Sequence, residues 1–131
     1  MSPHPSPFKS KGGASRVMNA VRYSAQGLAA AVRYEAAFRQ ELGLALVLLP
    51  LAFWVGQTPL QTVLLLVSLV FVLIVELLNS AIEAVADAVS LETNPLIGRA
   101  KDLGSAAVLL SLLLAAGVWC VLLVNHWHVL L

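Results

Sequence analysis

Apolar positions along this chain fall into four blocks. From Ser15 to about residue 34, Val17, Val21, Leu28 and Val32 recur near helical spacing, with Arg16, Arg22 and Arg33 set among short alanine runs. That pattern predicts an amphipathic helix, N-capped by Ser15 and lying in a membrane surface. The uncharged run Leu42–Gly56 is shorter than the roughly 20 residues a bilayer span needs. Its helix is therefore expected to start inside the preceding EAAFRQE stretch and to cover about 36–56. From Leu60 the chain is uncharged to Val75, and the helical pattern then continues through an acidic stretch, giving a helix over about 60–89. A last apolar block, Leu103–Val124, predicts a helix over about 100–124. The connections are an uncharged turn at Gln57–Gln61, with Pro59 suited to a first helical turn, and a loop at Leu91–Gly98. In that loop Asn94, Pro95 and Gly98 act as breakers. The expectation is an all-α membrane protein with one surface helix and three spans.

Composition narrows the class further. At 60% apolar residues and a mean hydropathy of +0.88, the chain is too apolar for an ordinary soluble domain. A net charge of +1 with scattered basic residues leaves no footprint for nucleic acid. Residues 1–14, rich in proline, glycine and serine, read as a disordered cytoplasmic tail, and 15–131 as a single membrane domain. No apolar core of a signal peptide follows the early lysines, so the N-terminus is expected to be retained. Cys120, beside Trp119 in an apolar run, reads as a small thiol packed between helices. All lysines and arginines lie at or before Arg39 or at Arg99 and Lys101, which places the N-terminus and the 91–101 loop in the cytoplasm. The C-terminus is then periplasmic, with Trp127 at an interface and His126 and His128 interfacial and no metal ligands.

The block Val75–Ala106 carries five of the seven carboxylates, although it begins in hydrocarbon-soluble helix. Charge at a membrane border is costly and asks for a reason. Glu76, Asn79, Ser80, Glu83 and Asp87 follow at steps of three and four, so a helix puts them on one face about 100° wide. Carboxylate and amide oxygens suit a hard cation such as Mg²⁺, held by one or two protein carboxylates plus substrate phosphates. Arg99 and Lys101, across the loop, can neutralise phosphate oxygens. These are the parts of a phosphoryl-transfer site without a Walker or protein-kinase motif. Spacing alone equally allows a cation or proton pathway through a small oligomeric channel. Glu35 and Arg39, one turn apart, can be a plain surface pair. Asp87 and Glu92 can be a solvated helix end.

The run Glu76-Leu-Leu-Asn79-Ser80-Ala81-Ile82-Glu83, then Asp87, then Gly98-Arg99-Ala100-Lys101-Asp102-Leu103-Gly104-Ser105-Ala106-Ala107, resembles the signature of the small bacterial integral-membrane diacylglycerol kinases. The block Glu35–Glu41 matches a second stretch of that family, and the resemblance covers about Ser15–Val124. It implies a homotrimer with composite sites that transfer the γ-phosphoryl of MgATP to the primary hydroxyl of diacylglycerol at the bacterial inner membrane. By the resemblance, Glu76 is the catalytic base, and Glu35, Glu83 and Asn79 form the metal shell. Arg16, Tyr23, Glu35, Glu83, Asp87, Lys101 and Asp102 contact ATP, while Arg39, Glu76 and Ser105 face the lipid. The Gly104–Ala107 run and the EAAFRQE block look more like the diacylglycerol branch than like the undecaprenol kinases, which share the metal and nucleotide machinery. Four positions depart from the family: Asn94 stands where many relatives have histidine, and Asn19, Ala25 and Gln26 replace a lysine, a tryptophan and a lysine. An oligomeric channel or membrane scaffold is the reading from a different class.

Overall fold

The computed structural model describes residues 12–89 and 94–131; the expected tail up to residue 11 and Glu92 lie outside the described residues. Four helices follow one another: α1 (Gly13–Tyr34), α2 (Ala36–Val55), α3 (Pro59–Val89) and α4 (Pro95–Leu130). α1 forms one compact unit, and the chain from Glu35 onward forms another.

α1 holds Arg16, Arg22 and Arg33 and no acidic residue. Val17, Met18, Val21, Leu28 and Val32 are exposed, an apolar face without cover inside the helix itself. Arg22 and Arg33 each stack over the neighbouring tyrosine, Tyr23 and Tyr34, at 5.4 Å from the ring centroid. The helix starts earlier than expected. Ser15 lies inside its first turn, and the carbonyl of Gly12 accepts the first helical bond, from the Arg16 N–H at 2.7 Å. Glycine is an acceptable N-cap, so no hydroxyl is needed there.

Each of α2, α3 and α4 is long and apolar enough to cross a membrane. α2 begins directly after Glu35, whose extended backbone caps the helix while its side chain makes no capping bond. At the other end Gly56 closes α2 with its N–H on the Ala52 carbonyl at 3.0 Å. Only glycine fits, because a Cβ at position 56 would meet the backbone N and Cα of Thr62 at 2.8 and 2.9 Å. Thr58 then opens α3. Its hydroxyl accepts from the Gln61 N–H at 3.2 Å, while Gln61 Oε1 accepts from the Gln57 N–H at 2.9 Å, a reciprocal cap with Pro59 as first helical residue.

α3 runs for 31 residues, about 46 Å at 1.5 Å per residue, so it outreaches the hydrocarbon core. Leu65, Ser68, Val72, Glu76 and Asn79 are buried along it at steps of three and four. On α4 the buried residues Gly104, Ser111, Trp119 and His126 are spaced near seven residues apart; of these Gly104 faces Asn79 and Trp119 faces Ser68. The apolar core is Ala52, Val55, Leu65 and Trp119. One polar link crosses it: Trp119 Nε1 donates to Ser68 Oγ at 3.1 Å, and Ser68 Oγ donates to the Leu65 carbonyl at 2.7 Å. Most other large apolar side chains face outward, as lipid-facing helices require.

Two expectations need correction. The Asn94-Pro95 pair does not break a helix but starts one: Asn94 Oδ1 accepts from the Leu96 N–H at 2.9 Å, and Pro95 occupies the first helical turn, where its missing N–H does no harm. Gly98 therefore lies within α4, which is longer at both ends than the expected 100–124. Cys120 is exposed, because Trp119 takes the inward position and the next residue turns about 100° away. His126 is buried, only 4% exposed. Its Nδ1 sits 3.1 Å from the Val55 carbonyl and beside the Gln57 amide, and its ring packs 4.4 Å from Trp54. The α2–α3 turn receives it.

Candidate functional site

The polar face of α3 changes character along its length. Glu76 and Asn79 are buried at 4% and 8% exposure, Glu83 is half-buried, and Asp87 is exposed. Over these 11 residues, about 16 Å of helix, the face passes from the bundle interior to open surface. Glu76 feels the charges of Glu83 and of Glu35, which brings the start of α2 to the same place. The Asn79 amide lies between the two glutamates of its own helix: Nδ2 donates to Glu83 Oε1 at 3.4 Å and lies within interaction range of Glu76. Among the expected site residues, Glu35, Glu76, Asn79 and Glu83 are thus gathered at one end of the bundle.

Asp87 and Lys101 form a second group. Lys101 Nζ donates to Asp87 Oδ1 at 2.7 Å, both side chains being about half exposed, and Lys101 also feels Glu83. An exposed pair of this kind is weakly held, so a more highly charged anion can take the ammonium away. Asp102, Ser105 and Arg39 are exposed on α4 and α2. Arg16 and Tyr23 lie on α1.

Sequence reasoning passed over two residues here. Glu41, inside α2, interacts electrostatically with Glu76, and its Oε2 is buried without a hydrogen-bond partner. It stands at a cavity of about 380 Å³ whose wall is otherwise apolar, including Leu48, Val72 and Trp119. The signal was available: Glu41 is the last charge before an uncharged span, already inside hydrocarbon length, and such a carboxylate calls for a function. The other is Gly104, buried on α4 against Asn79. A glycine in an apolar helix carries no sign of what faces it.

Do these residues fit a divalent cation? Four carboxylates, Glu35, Glu41, Glu76 and Glu83, are linked by mutual repulsion at Glu76, an excess of negative charge that a cation would relieve. No three Asp, Glu, His or Cys side chains converge into a closed cage among the described residues. A donor set of one or two carboxylates suits a hard cation that arrives with phosphate oxygens and water. The fit is to an ion that brings further ligands of its own.

Fold and site together define a helical membrane protein with a carboxylate cluster at one end of its bundle, next to an apolar cavity. The sequence profile of the family described as prokaryotic diacylglycerol kinase matches residues 22–123. The diacylglycerol kinase of Escherichia coli (strain K12) is 48% identical over 115 residues, 88% of this chain and 94% of the relative. That of Pseudomonas aeruginosa is 48% identical over 121 residues, 92% and 98%. That of Helicobacter pylori (strain J99) is 38% identical over 119 residues, 91% and 92%. The chain belongs to the prokaryotic diacylglycerol kinase family.

Proposed function

We propose that this chain is an ATP-dependent lipid kinase of a bacterial membrane, transferring the γ-phosphoryl group of ATP to the primary hydroxyl of diacylglycerol and so forming phosphatidic acid. Family membership supports the activity. The observation that carries the mechanism is the burial of Glu76 at 4% exposure amid other carboxylates, one of which, Glu41, lines an apolar cavity.

In the reaction the acceptor hydroxyl oxygen bonds to the γ-phosphorus, the bond from that phosphorus to the bridging oxygen breaks, and ADP leaves. The hydroxyl proton goes to the Glu76 carboxylate, a general base within the membrane where the lipid hydroxyl arrives. Glu83 and Glu35 would hold Mg²⁺, with Asn79 beside Glu83 in the surrounding shell; bound there with the nucleotide, the ion would neutralise charge on the transferring phosphoryl group. Lys101 leaves Asp87 for the ATP phosphates, and Asp87 and Asp102 help to hold the nucleotide. Arg16 and Tyr23 add contacts to ATP from α1. Arg39 and Ser105 serve the lipid side, and the cavity below Glu41 suits an acyl chain. The working form in this reading is a homotrimer with composite sites, made of single membrane domains over 15–131. Its N-terminus and site are cytoplasmic and its C-terminus periplasmic, in accord with the positions of lysine and arginine.

The test is transfer of labelled γ-phosphate from MgATP in mixed micelles to diacylglycerol and, in parallel, to undecaprenol, with the native chain and Glu76→Gln. Labelled phosphatidic acid that disappears in the variant is the expected result. Preferential labelling of undecaprenol would replace the substrate but keep the mechanism. Labelling of neither lipid would return the chain to a channel or scaffold role.

A further inference from the structure

Gly104 lies in the interior of α4, a position where alanine is the better helix former. It is buried, and a Cβ built there would run into Asn79 Oδ1, with Asn79 Cγ at 3.4 Å and Ile82 Cδ1 at 3.7 Å. The other glycines of the helix differ: a Cβ at Gly98 or at Gly117 meets nothing within 4 Å. Of these three glycines Gly104 alone faces another helix at close range, and what fills the space is an amide. Asn79 is only 8% exposed, and its Oδ1 is buried with no hydrogen-bond partner. That arrangement is costly for a polar atom and calls for a compensating role. Its other end shows what that role is. Nδ2 donates to Glu83 Oε1, and a carboxylate neighbour requires the nitrogen on that side, which sends the oxygen into the niche at Gly104.

We propose that Gly104 is a positioning residue of the kinase site: the missing side chain makes a niche that seats the Asn79 amide, and the seated amide orients the Glu83 carboxylate toward the nucleotide-bound divalent cation. This inference rests on the reading of Glu83 as a metal ligand. It gives Asn79 a different place from a direct ligand, since its oxygen is turned into the protein and its nitrogen toward the ligand carboxylate. Residues that orient a metal ligand through a hydrogen bond matter to the site although they touch no metal.

The experiment uses the full chain in micelles with four variants: Gly104→Ala, Asn79→Ser, the two combined, and Gly117→Ala as a control for helix propensity. Two quantities are read for each: binding of Mn²⁺ in the presence of a non-hydrolysable ATP analogue, by electron paramagnetic resonance, and the rate of lipid phosphorylation against Mg²⁺ concentration. The thermal midpoint reports folding. Asn79 Oδ1 is the end of a side chain and can yield, so Gly104→Ala is expected to fold and to weaken Mn²⁺ binding about 10- to 100-fold, as losses of ligand-orienting contacts do. Gly117→Ala is expected to match the native chain. With serine at 79 the niche has room for a methyl group, so adding Gly104→Ala to Asn79→Ser is expected to change neither Mn²⁺ binding nor rate. Native Mn²⁺ affinity in Gly104→Ala overturns the inference. So does a further loss when Gly104→Ala is added to Asn79→Ser, because the effect then does not pass through the amide. If Gly104→Ala fails to fold, the combined variant decides: recovery of folding with the binding of Asn79→Ser supports the niche, and continued failure overturns it. Failure of the kinase reading itself shows elsewhere, as absence of lipid labelling by the native chain.

Discussion

The two ends of the bundle differ in how fully their polar groups are paired. At the α2–α3 turn, the Gly56 N–H, the Thr58 hydroxyl, the Gln61 amide and the Nδ1 of His126 all find partners, and the single buried atom left without one is His126 Nε2. At the carboxylate end, Glu41 Oε2, Asn79 Oδ1 and Ser80 Oγ are buried without partners, and four carboxylates share one region. Buried side-chain polar groups in folded proteins are mostly paired, and exceptions cluster where a ligand or a second chain completes the structure. The turn end closes the fold. The carboxylate end holds charge in a place where folding alone gives no return, and this is the physical sign of function.

The contrast is broken most sharply at Glu76. Glu76→Gln keeps the shape and removes the proposed proton acceptor, so lipid phosphorylation is expected to fall about 10²- to 10⁴-fold, the range for loss of a general base. The thermal midpoint in micelles should hold or rise, because one of the repelling carboxylates is gone. A drop in stability with little loss of rate would make Glu76 a structural residue. At the other end the outcome is reversed. Gly56→Ala puts a methyl group against the backbone of Thr62, which cannot yield as a side chain tip can, and is expected to cost about 1–3 kcal/mol of stability. Its effect on KM for ATP should be nil, as checked by thermal unfolding beside steady-state kinetics.

What the sequence could and could not show follows the same division. The apolar runs and their helical period made four helices legible, because burial in lipid demands continuous helix wherever the chain is apolar. The acidic face of α3 was legible for the same reason: steps of three and four have one geometric meaning on a helix. Asn94-Pro95 was misread because one dipeptide has two uses, ending a helix or capping and starting one, and only the Leu96 N–H on Asn94 Oδ1 decides between them. The burial of His126 was illegible because it depends on Trp54 and Val55, some 70 residues away in sequence. Gly104 was illegible, since the meaning of a glycine lies in what faces it across the helix pair. Glu41 was legible as an expensive charge, but its link to Glu76 is a matter of how α2 meets α3.

A smaller effect is expected at His126. Replacing it by phenylalanine keeps a ring against Trp54 but removes the Nδ1 that, according to its tautomer, donates to the Val55 carbonyl or accepts from the Gln57 amide. A net hydrogen bond contributes about 0.5–1.5 kcal/mol, and the variant also removes the buried, unpartnered Nε2, which offsets part of that loss. His126→Phe should therefore unfold at a slightly lower temperature with unchanged kcat and unchanged KM for ATP. A change in either kinetic constant would mean that the turn end is coupled to the chemistry and that the two ends are not independent.

The finest distinction concerns Asp87. Its pair with Lys101 is half exposed at 2.7 Å, so Asp87→Asn is expected to leave the thermal midpoint where it is. Kinetics then separate two roles that the geometry combines. A carboxylate that only occupies Lys101 competes with the phosphates for the ammonium, and its loss would lower KM for ATP. A carboxylate that aims the ammonium and holds the nucleotide loses that function in the amide, and KM for ATP rises severalfold with kcat little changed. The second outcome is the expected one, because Lys101 also feels Glu83, and without Asp87 the ammonium would lean toward that carboxylate, away from an incoming phosphate.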